Sequence, residues 1–162
     1  MKHAMNQTTK LQSYHAEADV HAQRLQIALK HLYKATPFTV ESLESISDEN
    51  LAFLDLLSTR FSKLQDAIGA KIFPILLDIL QEDDKSFIDK LNKLERLEYL
   101  PSTDWWSDLR DLRNDFVHEY PTDPKKIKEM PNKIANLMKK AEELLAFWTE
   151  FKTKIQNYTQ QI

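Results

Sequence analysis

Cysteine is absent from this chain and glycine occurs once, at Gly69. Without cysteine there is no disulfide framework, no thiolate nucleophile and no thiolate-ligated zinc. Tight hairpins and phosphate-cradling loops lean on glycine, so neither a β-rich fold nor a P-loop is expected. No apolar run reaches the roughly 18 residues that a membrane-spanning helix needs. The opening Met1-Lys2-His3-Ala4-Met5-Asn6 has no apolar signal-like core, and a cytoplasmic location is the expectation.

What remains suits a single soluble helical domain over residues 1–162, with 42% hydrophobic and 29% charged residues. The net charge of −3 conceals a polarity along the chain. Residues 1–36 hold five basic and two acidic side chains (+3), residues 37–123 hold nine and nineteen (−10), and residues 124–162 hold eight and four (+4). A generally basic nucleic-acid binder is not indicated. An anionic ligand would be met by the two end segments together, or by a partner.

Apolar residues recur at intervals of three and four throughout, the period of amphipathic helices. Leu11, Tyr14, Ala18, Ala22, Leu25, Leu29 and Leu32 mark a first helix that ends before Thr36-Pro37. Ser47 is a cap for a second, with Asp48 and Glu49 in its first turn. Its stripe runs through Leu51, Leu54, Leu57, Phe61, Leu64, Ile68, Ile72, Ile75, Leu76 and Ile79, with a kink expected at Pro74. Phe87, Ile88, Leu91 and Leu94 predict a short third helix. Ser102, Thr103 or Asp104 caps a fourth, which should stop near Glu119 because Pro121 disfavours helix before it. Asp123-Pro124 opens a fifth, divided at Pro131 into a lead-in and a long terminal helix. Its stripe is Ile127, Ile134, Leu137, Met138, Ala141, Leu144, Leu145, Trp148, Phe151, Ile155 and Tyr158. Short connections predict an all-α antiparallel bundle of about five helices.

The end of the fourth helix carries the chemistry. It reads Arg113-Asn114-Asp115-Phe116-Val117-His118-Glu119-Tyr120-Pro121. A permanent cation there accompanies a side chain that titrates near neutrality. At about 100° per residue, Trp105, Leu109, Leu112 and Phe116 share a core stripe, with Arg113 beside it on the line of Trp106. His118 lies about 140° around and about 7.5 Å along from Arg113. One copy presents both to one ligand only if the last turn distorts before Pro121. Otherwise two copies meet across a two-fold axis, which favours a homodimer. The alternative is structural: Arg113 pairs with Asp108, Asp111 or Glu119, and His118 is a favourable cation at a helix C-terminus.

Arg113, Asn114, His118 and Tyr120, at the end of a late bundle helix, resemble the Arg-x4-His-x-Tyr signature of the HepT-type branch of the HEPN superfamily. The resemblance implies a metal-independent ribonuclease toxin of a toxin–antitoxin pair, with Arg113 and His118 catalytic and Asn114 in support. It implies no cofactor, a homodimer with both motifs in one cleft, and RNA as substrate. It also implies an MntA-type nucleotidyltransferase antitoxin that adenylylates the motif tyrosine, here Tyr120. A non-catalytic bundle that binds a nucleotidyltransferase or a nucleotide is the competing reading. Asp108, Asp111, Asp115 and Glu119 around the motif are an unexpected lining for an RNA site. Arg60 and Gly69 resemble an Arg…Gly pattern of the same branch.

The remaining histidines carry less. His15, His21 and His31 lack the i, i+4 spacing of a helical metal pair and are expected on exposed helix faces. Of Trp105 and Trp106, one ring is expected in the core and one at its boundary. Asp78, Glu82, Asp83 and Asp84 are expected to be solvated.

Overall fold

The computed structural model describes residues 2–82, 86–116 and 123–160. Among the described residues there is no strand. The order is α1 (Lys2–Tyr33), α2 (Val40–Glu44), α3 (Asp48–Asp66), a π-helical segment (Ala67–Ile72), α4 (Phe73–Ile79), α5 (Phe87–Arg96), α6 (Thr103–Phe116), α7 (Pro124–Ile127) and α8 (Met130–Gln160). The class is all-α and the helices form a bundle. The run α3–π–α4 is continuous, and α2 and α7 are short additions to the principal helices.

Polar contacts fix how the first two helical stretches pack. His31 faces Asn50, His21 faces Arg60, Glu17 faces Lys71 and Gln7 faces Asp78. Partner numbers rise as those of α1 fall, so α1 and the α3–α4 run are antiparallel. One continuous core joins all the long helices, with Leu25, Leu57, Leu64, Trp106, Leu109 and Leu144 each 0% exposed. Burying one such side chain stabilises the fold by about 1.5–3 kcal/mol. The stripes of α1 and α8 follow the expected positions, with Phe147 an additional buried ring on α8.

Two positions depart from the expected pattern. Pro74 produces a π turn in place of a simple kink. It offers no N–H to the Ala70 carbonyl, and the preceding turn widens so that the Phe73 N–H reaches Ile68. The wider turn rotates α4, so Phe73, Leu76 and Leu77 are buried while Ile75 and Ile79 are only half-buried. On α5, Ile88 is 51% exposed and the buried pair is Leu91 and Leu94.

Helix ends are specified locally. Ser47 accepts the Asn50 N–H, Ser86 that of Asp89, and Asp123 that of Lys125. In a chain with one glycine, Gln81 and Glu98 take the left-handed conformation beyond α4 and α5, at φ 59° and 64°. The N–H of the next residue then closes each end, Glu82 on Leu77 and Tyr99 on Leu94.

Candidate functional site

Ser102 caps α6, its hydroxyl oxygen accepting the Trp105 N–H at 3.2 Å. Thr103 ties this end to α5, donating its N–H and its hydroxyl to the Glu95 carboxylate at 3.3 and 2.8 Å. Of the two tryptophans, Trp106 is the core ring and Trp105 is half-buried, so the buried line runs through Trp106 and Leu109 and leaves Leu112 at the margin. The reason is tertiary. The Trp106 indole lies on Gly69 of the π segment and packs against Phe73 and Phe147. A Cβ at Gly69 would stand 2.9 Å from Trp106 Cζ2, so glycine is what lets α6 approach here.

Arg113 continues the Trp106 line seven residues on and reaches across to α3. Its Nη1 donates to the Asp66 carboxylate, with the two side chains 30% and 52% exposed. The carboxylate beside the motif arginine therefore comes from a residue 47 positions earlier, and not from Asp108 or Asp111, which are exposed on α6 itself. Nothing in the local sequence of α6 points to Asp66; only the packing of α6 on α3 does. Asn114 is exposed at the same end. His118 and Tyr120 lie outside the described residues, as does the expected helix stop at Glu119 and Pro121. Arg110, one turn before Asn114, rests over the Phe87 ring at 4.6 Å.

A second polar group lies on the other flank of α3, and it corrects the expectation of exposed histidines. His15, His21 and His31 are all half-buried. His15 meets the Trp148 ring edge-on at 4.9 Å, and His31 stacks on Phe53 at 3.8 Å. The His21 side chain is 11% exposed, and its Nδ1 lies 3.0 Å from the Arg60 Nη1. An arginine only donates, so Nδ1 is the acceptor and the ring is neutral, with Nε2–H directed to Glu17 at 3.7 Å. Burial and then the Arg60 charge push the His21 imidazole below its ordinary value, with Glu17 opposing. Glu17 also accepts from Lys71 at 2.8 Å through both oxygens. That hydrogen bond holds the Glu17 carboxyl below its usual range and raises the Lys71 ammonium.

The arrangement sets Arg60 and Lys63 by the neutral His21 imidazole and Lys71 on Glu17, with Asp66 a further acid near Lys71. No family model matches the chain, and no curated protein or solved structure matches it.

Proposed function

We propose that this protein is a HepT-type member of the HEPN superfamily: a homodimeric ribonuclease toxin restrained by an MntA-type nucleotidyltransferase. The observation that supports the reading is the Arg113-Asn114-x3-His118-x-Tyr120 string at the end of α6 in an all-helical bundle. The half-exposed position of Arg113, held by Asp66, suits a guanidinium that exchanges a carboxylate partner for a phosphate.

In this reading His118 takes the proton of a ribose 2′-hydroxyl, and the 2′-oxygen attacks the adjacent phosphorus. The 5′-oxygen of the following nucleotide leaves, taking a proton from water. The products are a 2′,3′-cyclic phosphate and a free 5′-hydroxyl. Arg113 binds the non-bridging oxygens and stabilises the charge that develops on them. Asn114 orients the phosphate or the imidazole. The two motifs of a dimer supply one cleft, and adenylylation of Tyr120 blocks it. Asp66, together with the exposed Asp108 and Asp111, keeps the resting surface near the motif from being strongly cationic. Substrate binding then depends on displacing Asp66 from Arg113.

The test is induction in a host lacking the partner, together with incubation of purified protein with total RNA in EDTA. Wild type should arrest growth and cleave RNA to cyclic-phosphate ends. His118→Ala and Arg113→Ala should each lower cleavage at least about 10²-fold. Harmless expression of the wild type, with RNA left intact, overturns the proposal and favours a non-catalytic partner-binding bundle.

A further inference from the structure

Arg60 is a half-buried cation that meets a neutral ring. Among the described residues no carboxylate oxygen lies within 4.0 Å of its guanidinium. Its Nε is buried with no hydrogen-bond partner, and its Nη1 donates to the neutral ring of His21. Withdrawing a guanidinium from water is costly unless an anion meets it. The adjacent acid, Glu17, is engaged by Lys71. Facing His21 are Glu17 from α1, Arg60 and Lys63 from α3, and behind Glu17 stands Lys71 from the π segment. Arg60 and Lys63 bear on His21, Lys71 binds Glu17, and Asp66 is a further acid near Lys71.

We propose that Arg60 and His21, flanked by Lys63 and Lys71, bind a phosphate group, and that this phosphate belongs to the single-stranded RNA whose cleavable linkage lies at Arg113. The identity of the ligand rests on the ribonuclease reading; the site rests on Arg60, whose buried Nε has no hydrogen-bond partner and whose Nη1 meets only a neutral ring. Helical geometry connects the two places. Lys63 and Asp66 follow Arg60 by about 4.5 and 9 Å along α3, turning by about 60° at each step. An RNA strand crossing the outer side of α3 therefore passes Arg60 at the α1 flank, then Lys63, then Arg113 at the α6 flank. Sequence-independent contacts of this kind place the strand without reading its bases.

The site has a proton-linked signature. Burial and the Arg60 and Lys63 charges disfavour the imidazolium, while Glu17 favours it. A phosphate on Arg60 reverses the local field, so binding draws a proton onto His21. Nδ1 then becomes a donor, releases Arg60, and both groups turn to the shared anion.

The experiment monitors the His21 imidazole by NMR through a pH titration of the wild-type protein. One arm is protein alone, one adds inorganic phosphate, and one adds a 2′-O-methyl oligouridylate of about ten nucleotides, within the span of single-strand sites. The expected result is a saturable His21 response and a raised His21 pKa with the oligonucleotide. In Arg60→Met that response disappears and affinity falls about tenfold or more, with helix content and the His31 signal unchanged. An inert His21 in both ligand arms overturns the site, and the wild-type arms decide this even if Arg60→Met fails to fold. A response to inorganic phosphate alone overturns the RNA assignment. If wild type cleaves RNA while His21 stays inert, the ribonuclease reading stands and this inference falls. If His21 responds to the oligonucleotide but no RNA is cut, the ribonuclease reading falls, and with it the cleavable linkage at Arg113, while the phosphate site at Arg60 and His21 stands.

Discussion

The guanidinium of Arg113 and the carboxylate of Asp66 are paired between α6 and α3, which holds the arginine of the motif toward α3. Both side chains are partly exposed, so the pair contributes no more than about 1 kcal/mol to stability. Asp66→Asn should therefore leave the urea midpoint nearly unchanged. On the proposed ribonuclease reading it should tighten binding of a 2′-O-methyl oligoribonucleotide a few-fold, because a competing negative charge is gone while an amide oxygen still accepts from Arg113. Weaker binding in fluorescence anisotropy would show instead that the Asp66 charge is needed to aim the guanidinium.

Gly69 makes a second pair with Trp106, and here shape decides the effect. An added methyl would press on the six-membered ring of a fully buried indole, which has no free end to move aside. Gly69→Ala should lower stability by about 1–3 kcal/mol despite alanine's better helix propensity. Thermal unfolding by circular dichroism measures this, and an unchanged or raised Tm would contradict it.

At the end of α5, Glu98 holds φ 64°, and its carbonyl oxygen accepts from Lys154 Nζ at 2.9 Å. Glycine adopts that conformation without the Cβ clash, and the Lys154 contact uses only backbone of residue 98. Glu98→Gly should stabilise the protein by about 1 kcal/mol, read as a higher urea midpoint at constant slope. A loss of stability would mean that the Glu98 side chain contributes more than its backbone strain costs.

The half-buried histidines predict the acid limb of the stability profile. Burial, as the first cause, lowers both His15 and His21 from the ordinary 6.5. Between the lowered native value and the unfolded value, the unfolded state binds more protons. Stability is therefore fully present above about pH 6.5 and falls as pH drops through that window. Urea unfolding at about pH 7 and about pH 5 should show the loss, and His15→Gln with His21→Gln should flatten it. An equally steep fall in the double variant would assign the limb to carboxylates instead.

Several helix ends are legible in the sequence because each is set within a few residues, although the Thr39 cap of α2 is not among the expected ones. Ser47 and Asp123 act as caps where the sequence places them, Ser102 is the one of three candidates that caps α6, and α1 ends ahead of Thr36-Pro37. The π turn is not legible as such. Pro74 announces a fault in the helix, but whether the backbone bends or widens depends on what packs against Gly69 and Phe73. Widening shifts the buried line from Ile75 and Ile79 to Phe73 and Leu77. Likewise, His21 has a polar surface pattern in sequence, and its burial comes from lying against Arg60 on another helix.

By itself the sequence determined an all-helical chain, the buried stripes of α1 and α8, and the Arg113–Tyr120 string. Those properties arise from periodicity, capping and residue chemistry, all of which act within about a turn or two of helix. The tertiary structure alone decided that Asp66 meets Arg113, that Trp106 rather than Trp105 fills the space over Gly69, and that Arg60 faces His21. Amphipathic spacing tells a helix which side to hide, but it carries no label for the side of which other helix will cover it.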